Sequence, residues 1–255
     1  MECAVREVGA NLAKARQMVG TVCARGARLV VLPELFNTGY RLDADYHRFA
    51  EPIPGPTTGF MLDLARRHDI FLVGSIIEET KMRGIPFNTS VLVGPEGIIG
   101  TQSKIALYDR EKLYFGMGDV ARPFATDIGC IGLMICRDVR FGEIARALAL
   151  KGAEVFAVSS AAGLIDFVPQ ARACDNSSYL VLANRTGQEE DTRLCGGSRI
   201  IDPLGAILAE AGMPEGCILA EIDTDVIVES RQRRRYLQDF RASLFLQPEF
   251  YGNRT

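Results

Sequence analysis

The chain has 255 residues, of which 47% are hydrophobic and 24% charged, and its formal net charge is −3 at pH 7. This composition is typical of a globular protein with a large core. The slightly negative charge gives no electrostatic basis for binding nucleic acid. No apolar run approaches the roughly 20 residues that a membrane helix needs, and the first residues lack the apolar segment of a secretory signal. We therefore expect no nucleic-acid or membrane partner.

Cysteine and histidine usage also limits the possibilities. There are seven cysteines and two histidines, and no Cys-x-x-Cys pair occurs. This irregular spacing predicts neither a zinc site nor a disulfide framework. We expect free thiols in a reducing cytoplasm, with no metal and no other cofactor.

The first half alternates apolar patterns of helical and strand type and then turns to hairpin signals. The predicted elements are a helix over 12–23 ended by Gly26, a strand at 28–34, a helix at 56–69, a strand at 70–77, two strands within 88–104 around Pro95-Glu96-Gly97, and a strand at 130–136.

The second half repeats this outline, and "GAEVFAVSS" (152–160) resembles "GARLVVLPE" (26–34) in pattern. Its predicted elements are a helix over 141–152, a strand at 152–160, a helix at 168–176, a strand at 179–185, a hairpin at 196–210, a strand at 216–223 and a basic helix at 224–238.

Helix–strand pairs and hairpins thus occur twice, with no linker between the halves, so we expect one domain over 1–255. Because helices must cover sheet faces, the pattern favours an α/β fold in which two sheets pack together with helices outside, a four-layer αββα sandwich. A single mixed sheet with helices on both faces is the alternative.

Three predicted strands end in a reactive side chain: Glu34 in "LVVLPELF", Lys104 in "IIGTQSKIAL" and Cys136 in "LMICRDVRF". Each alone has an ordinary explanation, as a solvated charge or a core cysteine. Together they suit nucleophilic catalysis. A free thiol is mostly protonated at neutral pH, a nearby carboxylate takes its proton, and an ammonium stabilises the anion formed on attack.

At these residues the sequence resembles the nitrilase superfamily of carbon–nitrogen hydrolases. The segments that carry the resemblance are "GARLVVLPELFNTGY" (26–40), "FNTSVLVGPEGIIGTQSKIALYDREKLYFGMGD" (87–119), "GLMICRDVRFGEIARALALKGAEV" (132–155), "ANRTG" (183–187) and "GGSRIIDPLGAILAE" (196–210). They occur in the family's order and cover nearly the whole chain, closest to the amidase-like and ω-amidase-like branches.

The resemblance implies the αββα sandwich and a catalytic triad of Glu34 as general base and acid, Lys104 as electrostatic stabiliser and Cys136 as nucleophile. It implies that Glu111 orients Lys104 and the attacking water, and that the backbone N–H of Arg137 helps to hold the oxyanion. The activity implied is hydrolysis of a small carboxamide through a cysteine thioester. A nitrilase or an N-carbamoyl amidohydrolase is the alternative, as is a catalytically impaired family member that acts as a binding protein.

Further residues near the motifs complete the expected pocket. Tyr40 follows Glu34 and is a candidate for the pocket wall, with core packing an equal alternative, and Asn184 ends a strand near the site. Arg137 replaces the aromatic residue usual after the nucleophile, and its charge favours carboxylate-bearing over cationic substrates. A pairing of Arg137 with Asp138 or another nearby acid is the alternative.

The two ends of the chain also differ from the simplest expectation. Family members have a short strand before the first helix, and "MECAVREVGANLAK" reads almost directly as that helix, so we expect the strand to be missing. The resemblance implies that residues 224–255, a helix and tail, contribute to the interface of a homo-oligomer, a dimer or larger.

Overall fold

The computed structural model describes residues 1–189, 192–245 and 247. The strands in these residues are β1 Leu29–Val31, β2 Phe71–Glu78, β3 Phe87–Gly94, β4 Gly97–Ser103, β5 Pro123–Thr126, β6 Gly129–Ile135, β7 Val155–Ser160, β8 Tyr179–Asn184, β9 Thr186–Glu189, β10 Thr192–Cys195, β11 Arg199–Ile201 and β12 Ile207–Glu210. The helices are α1 Val8–Cys23, α2 Pro56–His68, α3 Gly142–Leu150, α4 Val168–Asn176, α5 Thr224–Arg234, α6 Tyr236–Asp239 and α7 Ala242–Phe245.

These strands form two main sheets. The first has the order β1-β2-β3-β4, the second has the order β12-β11-β8-β7-β6-β5, and β9 and β10 form a separate antiparallel pair. β1 and β2 are parallel, as are β6, β7 and β8. The carboxyl ends of β6, β7 and β8 therefore lie along one edge of the second sheet, where the following loops meet.

The two sheets pack face to face, with helices on their outer faces. The core between the sheets joins Phe71, Val73 and Leu92 of the first sheet to residues of the second such as Ile131 and Leu133. A second core lies between the first sheet and helices α1 and α2, and a third lies between the second sheet and helices α3 and α4. The predicted four-layer αββα sandwich is confirmed, and the alternative of a single mixed sheet is wrong.

The prediction of a strand at 216–223 is wrong. These residues are extended but make no ladder with any strand that the structure describes. An apolar cavity of about 130 Å³ lies between them and β1. The apolar run 217–220 is half-buried and lines this cavity. It forms no strand, since a strand also needs a neighbouring backbone edge within hydrogen-bond reach. Residues 1–7 form no strand.

The predicted basic helix over 224–238 is divided in two. α5 ends at Arg234, and Arg235 follows with a left-handed φ of +57° before α6 begins. Residues 246 and 248–255 of the expected C-terminal interface segment lie outside the described residues.

Candidate active site

Three strand ends deliver the predicted reactive residues to one place. Glu34 lies three residues beyond β1, Lys104 follows β4 directly, and Cys136 follows β6 directly. All three line the floor of an open pocket of about 710 Å³. The sequence placed them 70 and 32 residues apart along the chain, and packing of the two sheets brings them together.

The ammonium of Lys104 is shared between two buried carboxylates. Its Nζ donates hydrogen bonds of 2.7 Å to Oε1 of Glu34 and 2.7 Å to Oε1 of Glu111. Lys104 is 1% exposed and both glutamates are fully buried. Oε2 of Glu111 accepts a bond of 2.5 Å from the backbone N–H of Tyr108. Glu111 therefore anchors Lys104 from the side away from Glu34.

One oxygen of Glu34 is held, and the other is unsatisfied. Oε1 accepts a second bond, of 2.8 Å, from the side-chain amide of Asn88. Oε2 is buried and has no hydrogen-bond partner within the described residues. A buried carboxylate oxygen without a donor is costly and uncommon. Its position in the pocket floor suits an atom that takes and returns a proton.

The backbone at Cys136 is strained. Its φ of +46° lies in the left-handed region, which non-glycine residues seldom adopt, and a 3₁₀ turn over Cys136–Arg140 follows at once. The sharp turn lifts the thiol from the strand end into the pocket. Strain of this kind is characteristic of sites where geometry is fixed for function.

The thiol of Cys136 needs a base. Burial raises its pKa to about 12, the negative charge of Glu34 adds to this, and Lys104, the N–H of Ala161 and the hydroxyl of Ser160 act in the opposite direction. The resting cysteine is therefore a neutral thiol at pH 7. A thiolate has to form by transfer of the proton to a neighbouring acceptor, and the unsatisfied oxygen of Glu34 in the same pocket is a candidate for it.

Lys104 stays charged in this environment. Burial alone would lower its pKa, but the negative charges of Glu34 and Glu111 outweigh burial and raise it above the ordinary value. Burial raises the pKa of Glu111, and Lys104 opposes that rise. The site thus keeps a cation beside the Cys136 thiol, and a fixed cation of this kind can stabilise negative charge that develops nearby.

Asp138 ties the nucleophile turn to the loop that carries Lys104. Its carboxylate accepts bonds of 3.1 Å and 2.7 Å from the backbone of Ile105 and Ala106, and one of 3.0 Å from the backbone of Ile135. The alternative that Arg137 pairs with Asp138 is wrong, because within the described residues this carboxylate is bonded to these three N–H groups and forms no ion pair with Arg137. Burial raises the pKa of Asp138 to about 6.

The backbone and the side chain of Arg137 lie in different parts of the site. Its backbone N–H lies at the start of the 3₁₀ turn, where helical N–H groups have no partner, and no described residue accepts it. Its side chain extends along the pocket wall, with the guanidinium carbon 5.4 Å from the ring centre of Tyr108 and 6.0 Å from that of Phe141.

Tyr40 lines the pocket beside the carboxylates, which agrees with the prediction of a pocket-wall residue over the alternative of core packing. Burial raises the pKa of Tyr40, as do the charges of Glu111 and Glu34 and a hydrogen bond to Glu111. The phenol is therefore neutral and acts as a donor. Its backbone N–H bonds to Oε2 of Glu189 at 2.8 Å, and Glu189 is paired with the buried Arg185.

Asn184 lies behind the pocket wall and does not line it. Its side-chain oxygen accepts from the N–H of Ala162 at 2.8 Å, and its amide donates to the carbonyls of Ala162 and Gly196 at 3.0 and 2.6 Å. The expectation of a pocket residue is corrected on this point. Because Ala162 does line the pocket, Asn184 acts on the site by holding the wall in place.

Sequence reasoning missed the contribution of β7. Ser160 and Ala161 both line the pocket, and the hydroxyl of the one and the N–H of the other act to lower the pKa of Cys136. A signal was present, because Ser160 occupies the position in "GAEVFAVSS" that Glu34 occupies in "GARLVVLPE". The structure adds a direct contact between the two halves, since the N–H of Glu34 donates to the carbonyl of Ser160 at 3.3 Å.

The described residues contain neither a metal-binding cluster nor a membrane-spanning helix. No group of three or more His, Cys, Asp or Glu side chains there is arranged to hold a metal ion. No helix in those residues is long and apolar enough to span a lipid bilayer.

The fold and the pocket together define an αββα protein with a glutamate, a lysine and a cysteine clustered at the pocket floor. The chain belongs to the carbon–nitrogen hydrolase family, whose model matches residues 4–232. It is 38% identical over 235 residues to a nitrilase of Pyrococcus abyssi, with 89% of this chain and 88% of the relative covered. It is 35% identical to an (R)-stereoselective amidase of a Pseudomonas species (92% and 86% covered) and 31% identical to an omega-amidase of Danio rerio (88% and 86%).

Solved structures share the fold over almost their whole length. A carbon–nitrogen hydrolase from Helicobacter pylori G27 superposes with a TM-score of 0.89 at 27% identity, over 96% of this chain and 94% of its own. A variant of the amidase from Nesterenkonia sp. AN1 superposes with a TM-score of 0.83 at 26% identity, over 95% and 94% of the two chains. That structure shows Michael addition of acrylamide at its active-site cysteine.

Proposed function

We propose that this carbon–nitrogen hydrolase is an amidase that converts small linear carboxamides to carboxylates and ammonia through a thioester on Cys136. The observation that carries the proposal is the convergence of Cys136 with the buried ion pair of Glu34 and Lys104 at the floor of an open pocket. Relatives at 31–35% identity are an omega-amidase and an amidase, which supports amides as the substrate class.

The first half-reaction forms the thioester. Oε2 of Glu34 accepts the proton of the Cys136 thiol, and the sulfur attacks the amide carbon to give a tetrahedral intermediate. Glu34 then returns the proton to the amide nitrogen as the C–N bond breaks, and ammonia leaves. One carboxylate serves as base and then as acid, so the chemistry needs no histidine.

Negative charge on the tetrahedral oxygen is stabilised by two donors. These are the ammonium of Lys104 and the backbone N–H of Arg137, which has no acceptor in the described structure. Removing one donor of this kind typically costs about 3–4 kcal/mol of transition-state stabilisation. Glu111 positions Lys104 for this task by holding it from behind.

The second half-reaction releases the acid. Glu34 takes a proton from a water molecule, the resulting hydroxide attacks the thioester carbonyl, and the tetrahedral intermediate expels the Cys136 thiolate. The thiolate recovers the proton from Glu34, and the carboxylic acid leaves the pocket. Reagents and products balance as amide plus water giving carboxylic acid plus ammonia.

Ammonia release from a substrate panel tests the proposal. The purified chain is incubated with short-chain primary amides, the corresponding nitriles and N-carbamoyl compounds, and Cys136→Ala serves as the inactive control. We expect amides to be turned over fastest and C136A to be inactive with unchanged circular dichroism. Clear turnover of a nitrile or an N-carbamoyl compound, with none of any amide, would overturn the assignment in favour of that alternative.

A binding protein without catalysis is disfavoured by energetics. The unsatisfied oxygen of Glu34 and the left-handed backbone of Cys136 both cost stability, and a binding module gains nothing from either. Acrylamide distinguishes the two ideas. If Cys136 is activated, peptide mass spectrometry should find it alkylated before the other six cysteines, and Glu34→Gln should slow that reaction.

We further propose that the chain forms a homo-oligomer, as its resemblance to the family implied. The structure holds one chain, so the support is the resemblance alone. Light scattering coupled to gel filtration measures the mass directly, and a mass near 28 kDa, that of one chain, would reject the proposal. The cytoplasmic location stays a prediction.

A further inference from the structure

The carboxylate of Glu34 is held through one of its two oxygens. Its Oε1 accepts a bond of 2.7 Å from Nζ of Lys104 and one of 2.8 Å from Nδ2 of Asn88. Its Oε2 is buried and accepts no hydrogen bond within the described residues. Both donors therefore reach the same oxygen, although the two oxygens of a carboxylate are chemically identical. The asymmetry comes from where the donors lie.

Asn88 is placed to act on both members of the ion pair. It is fully buried and is the second residue of β3, and its backbone carbonyl accepts a bond of 2.8 Å from the N–H of Lys104. Side chains alternate along a strand, so Asn88 shares a face of β3 with Leu92, which packs between the two sheets. The amide is thus directed toward the sheet that carries Cys136.

The side chain of Asn88 is not explained by its own hydrogen bonding. Its Oδ1 is buried and has no partner in the part of the chain that the structure describes. A buried polar atom without a partner destabilises the folded state, and leucine, which has nearly the same shape, would avoid that cost. The N–H that Glu34 receives is therefore what asparagine adds at this position over an apolar residue.

Lys104 alone does not keep one oxygen of Glu34 free. The last torsion of a glutamate side chain is broad, and an ammonium has three donors, so both carboxylate oxygens can turn toward one lysine. Neither oxygen is then available for a proton. The amide of Asn88 gives Oε1 a second donor from the neighbouring strand, and this holds the carboxylate turned so that Oε2 stays clear of Lys104.

We propose that Asn88 is a positioning residue for the general base, which reserves Oε2 of Glu34 for the thiol proton of Cys136. The inference rests on the proposed amidase function and adds a residue to its proton-transfer step. Asn88 does not line the pocket, so it acts through Glu34 and makes no contact with the substrate.

The rate at which acrylamide alkylates Cys136 tests this step without any amide turnover. Asn88→Leu removes the donor and keeps the volume filled. We expect the rate at pH 7, followed by peptide mass spectrometry, to fall about 10- to 100-fold, the range for loss of a hydrogen bond to a charged group. Asn88→Ala removes the same donor without bulk and should give the same loss, so the result does not depend on how leucine packs.

Ser90→Ala is the matched control. Ser90 is fully buried on the same face of β3, and its hydroxyl also has no partner within the described residues. The substitution removes a buried polar atom two residues away and leaves the Glu34 carboxylate with both of its donors. S90A should therefore be alkylated at the wild-type rate.

Asn88→Asp separates positioning from packing. A protonated aspartic acid still offers Oε1 a donor, whereas an ionised one repels Glu34, and two adjacent carboxyl groups share one proton until the pH rises. Because Lys104 lies against Glu34, that proton resides on the introduced carboxyl group. The alkylation rate of N88D relative to wild type should fall from pH 6 to 9, while the ratio for N88L stays constant. Constant ratios for both variants would overturn the proposal.

Steady-state kinetics separate this inference from the proposed function. With an amide that the wild type hydrolyses, N88L should lower kcat by a similar factor and change KM little, with an unchanged circular dichroism spectrum. If the wild type hydrolyses no amide, the proposed function fails, and slowed alkylation of N88L still supports the positioning of Glu34. A folded N88L that is alkylated at the wild-type rate overturns the inference even if amides are hydrolysed.

Discussion

Replacing Lys104 with methionine removes the ammonium that two buried carboxylates share. Methionine has nearly the same length and no charge, so the change leaves the volume filled. Glu34 and Glu111 would then face each other across the site with no cation between them. Both are fully buried, and each lies 2.7 Å from the Lys104 nitrogen.

The expected loss of stability follows from this geometry. Removing one partner of a buried ion pair costs about 3–5 kcal/mol, since the remaining charge is left uncompensated. For a chain of this size each kcal/mol shifts the melting temperature by about 2–4 °C, so K104M should melt about 6–20 °C lower. Loss of the oxyanion donor should lower kcat by about 10²–10³ in the same variant.

The loss of stability in K104M should depend on pH. Burial already raises the pKa of Glu111, and Lys104 opposes that rise, so loss of Lys104 raises it further. The folded variant then binds a proton at a pH where the unfolded chain does not, and binding favours the folded state. K104M should therefore recover stability relative to the wild type as the pH falls from 8 to 5.

Urea unfolding followed by circular dichroism measures these differences. Lys112→Met removes an exposed lysine nearby and should change stability by less than about 0.5 kcal/mol. The double variant K104M/E111Q removes one carboxylate together with the cation, so it should be more stable than K104M while remaining inactive. If E111Q gives no recovery, or if the deficit of K104M grows on acidification, the shared-charge account is wrong.

Three further substitutions test the surroundings of the triad. Asp138→Asn should lower the free energy of unfolding by about 1–3 kcal/mol at pH 7, because backbone N–H groups lose an acceptor. Because burial raises the pKa of Asp138 to about 6, the wild type should gain stability relative to D138N as the pH falls from 7 to 5. A difference in unfolding free energy that shrinks over this range would contradict the prediction. Tyr40→Phe should lower kcat/KM about 10- to 100-fold through loss of a bond to a charged group. The dependence of the rate on pH between 6 and 9 should stay the same, since the raised pKa of Tyr40 keeps the phenol neutral. A shifted pH dependence would show that Tyr40 titrates. Asn184→Ala should destabilise the protein by about 1–3 kcal/mol by leaving the N–H of Ala162 unpaired, while kcat falls less than tenfold. A loss of activity as large as that of C136A would show that Asn184 takes part in the chemistry.

The αββα layers and the clustering of Glu34, Lys104 and Cys136 were predictable from the sequence for one physical reason. Each residue follows an apolar strand, β1 and β4 of the first sheet and β6 of the second, and packing of the two sheets brings these strand ends together. Glu111 was implied by the family resemblance alone, and the structure places it against Lys104, as that resemblance implied. Local pattern and motif order therefore predicted which side chains meet at the pocket floor.

What the sequence could not supply depended on neighbours in space. The apolar run 217–220 lines a cavity and is half-buried, but an apolar run alone does not provide the second backbone edge that a strand needs. In the sequence Asn184 is a polar residue at a strand end, as Glu34 is. In the structure its side chain bonds to Ala162, which is 22 residues away along the chain. Pairing across such distances is decided by packing.

Asp138 and Ser160 show the same limit at the site itself. Asp138 follows an arginine and predicts an ion pair, whereas three backbone N–H groups capture its carboxylate. Ser160 is one small polar residue among buried strand residues, and its role depends on β7 lying parallel to β6. Both are consequences of how backbone segments converge around Cys136.

The most direct test of the central claim is to trap the covalent intermediate. The wild-type chain is mixed with an amide that it turns over, quenched in acid during the steady state, digested and examined by mass spectrometry. The account predicts an acyl group in thioester linkage on Cys136, absent from the other six cysteines and absent from C136A. Turnover without any acylated Cys136, or activity retained by C136A, would contradict it.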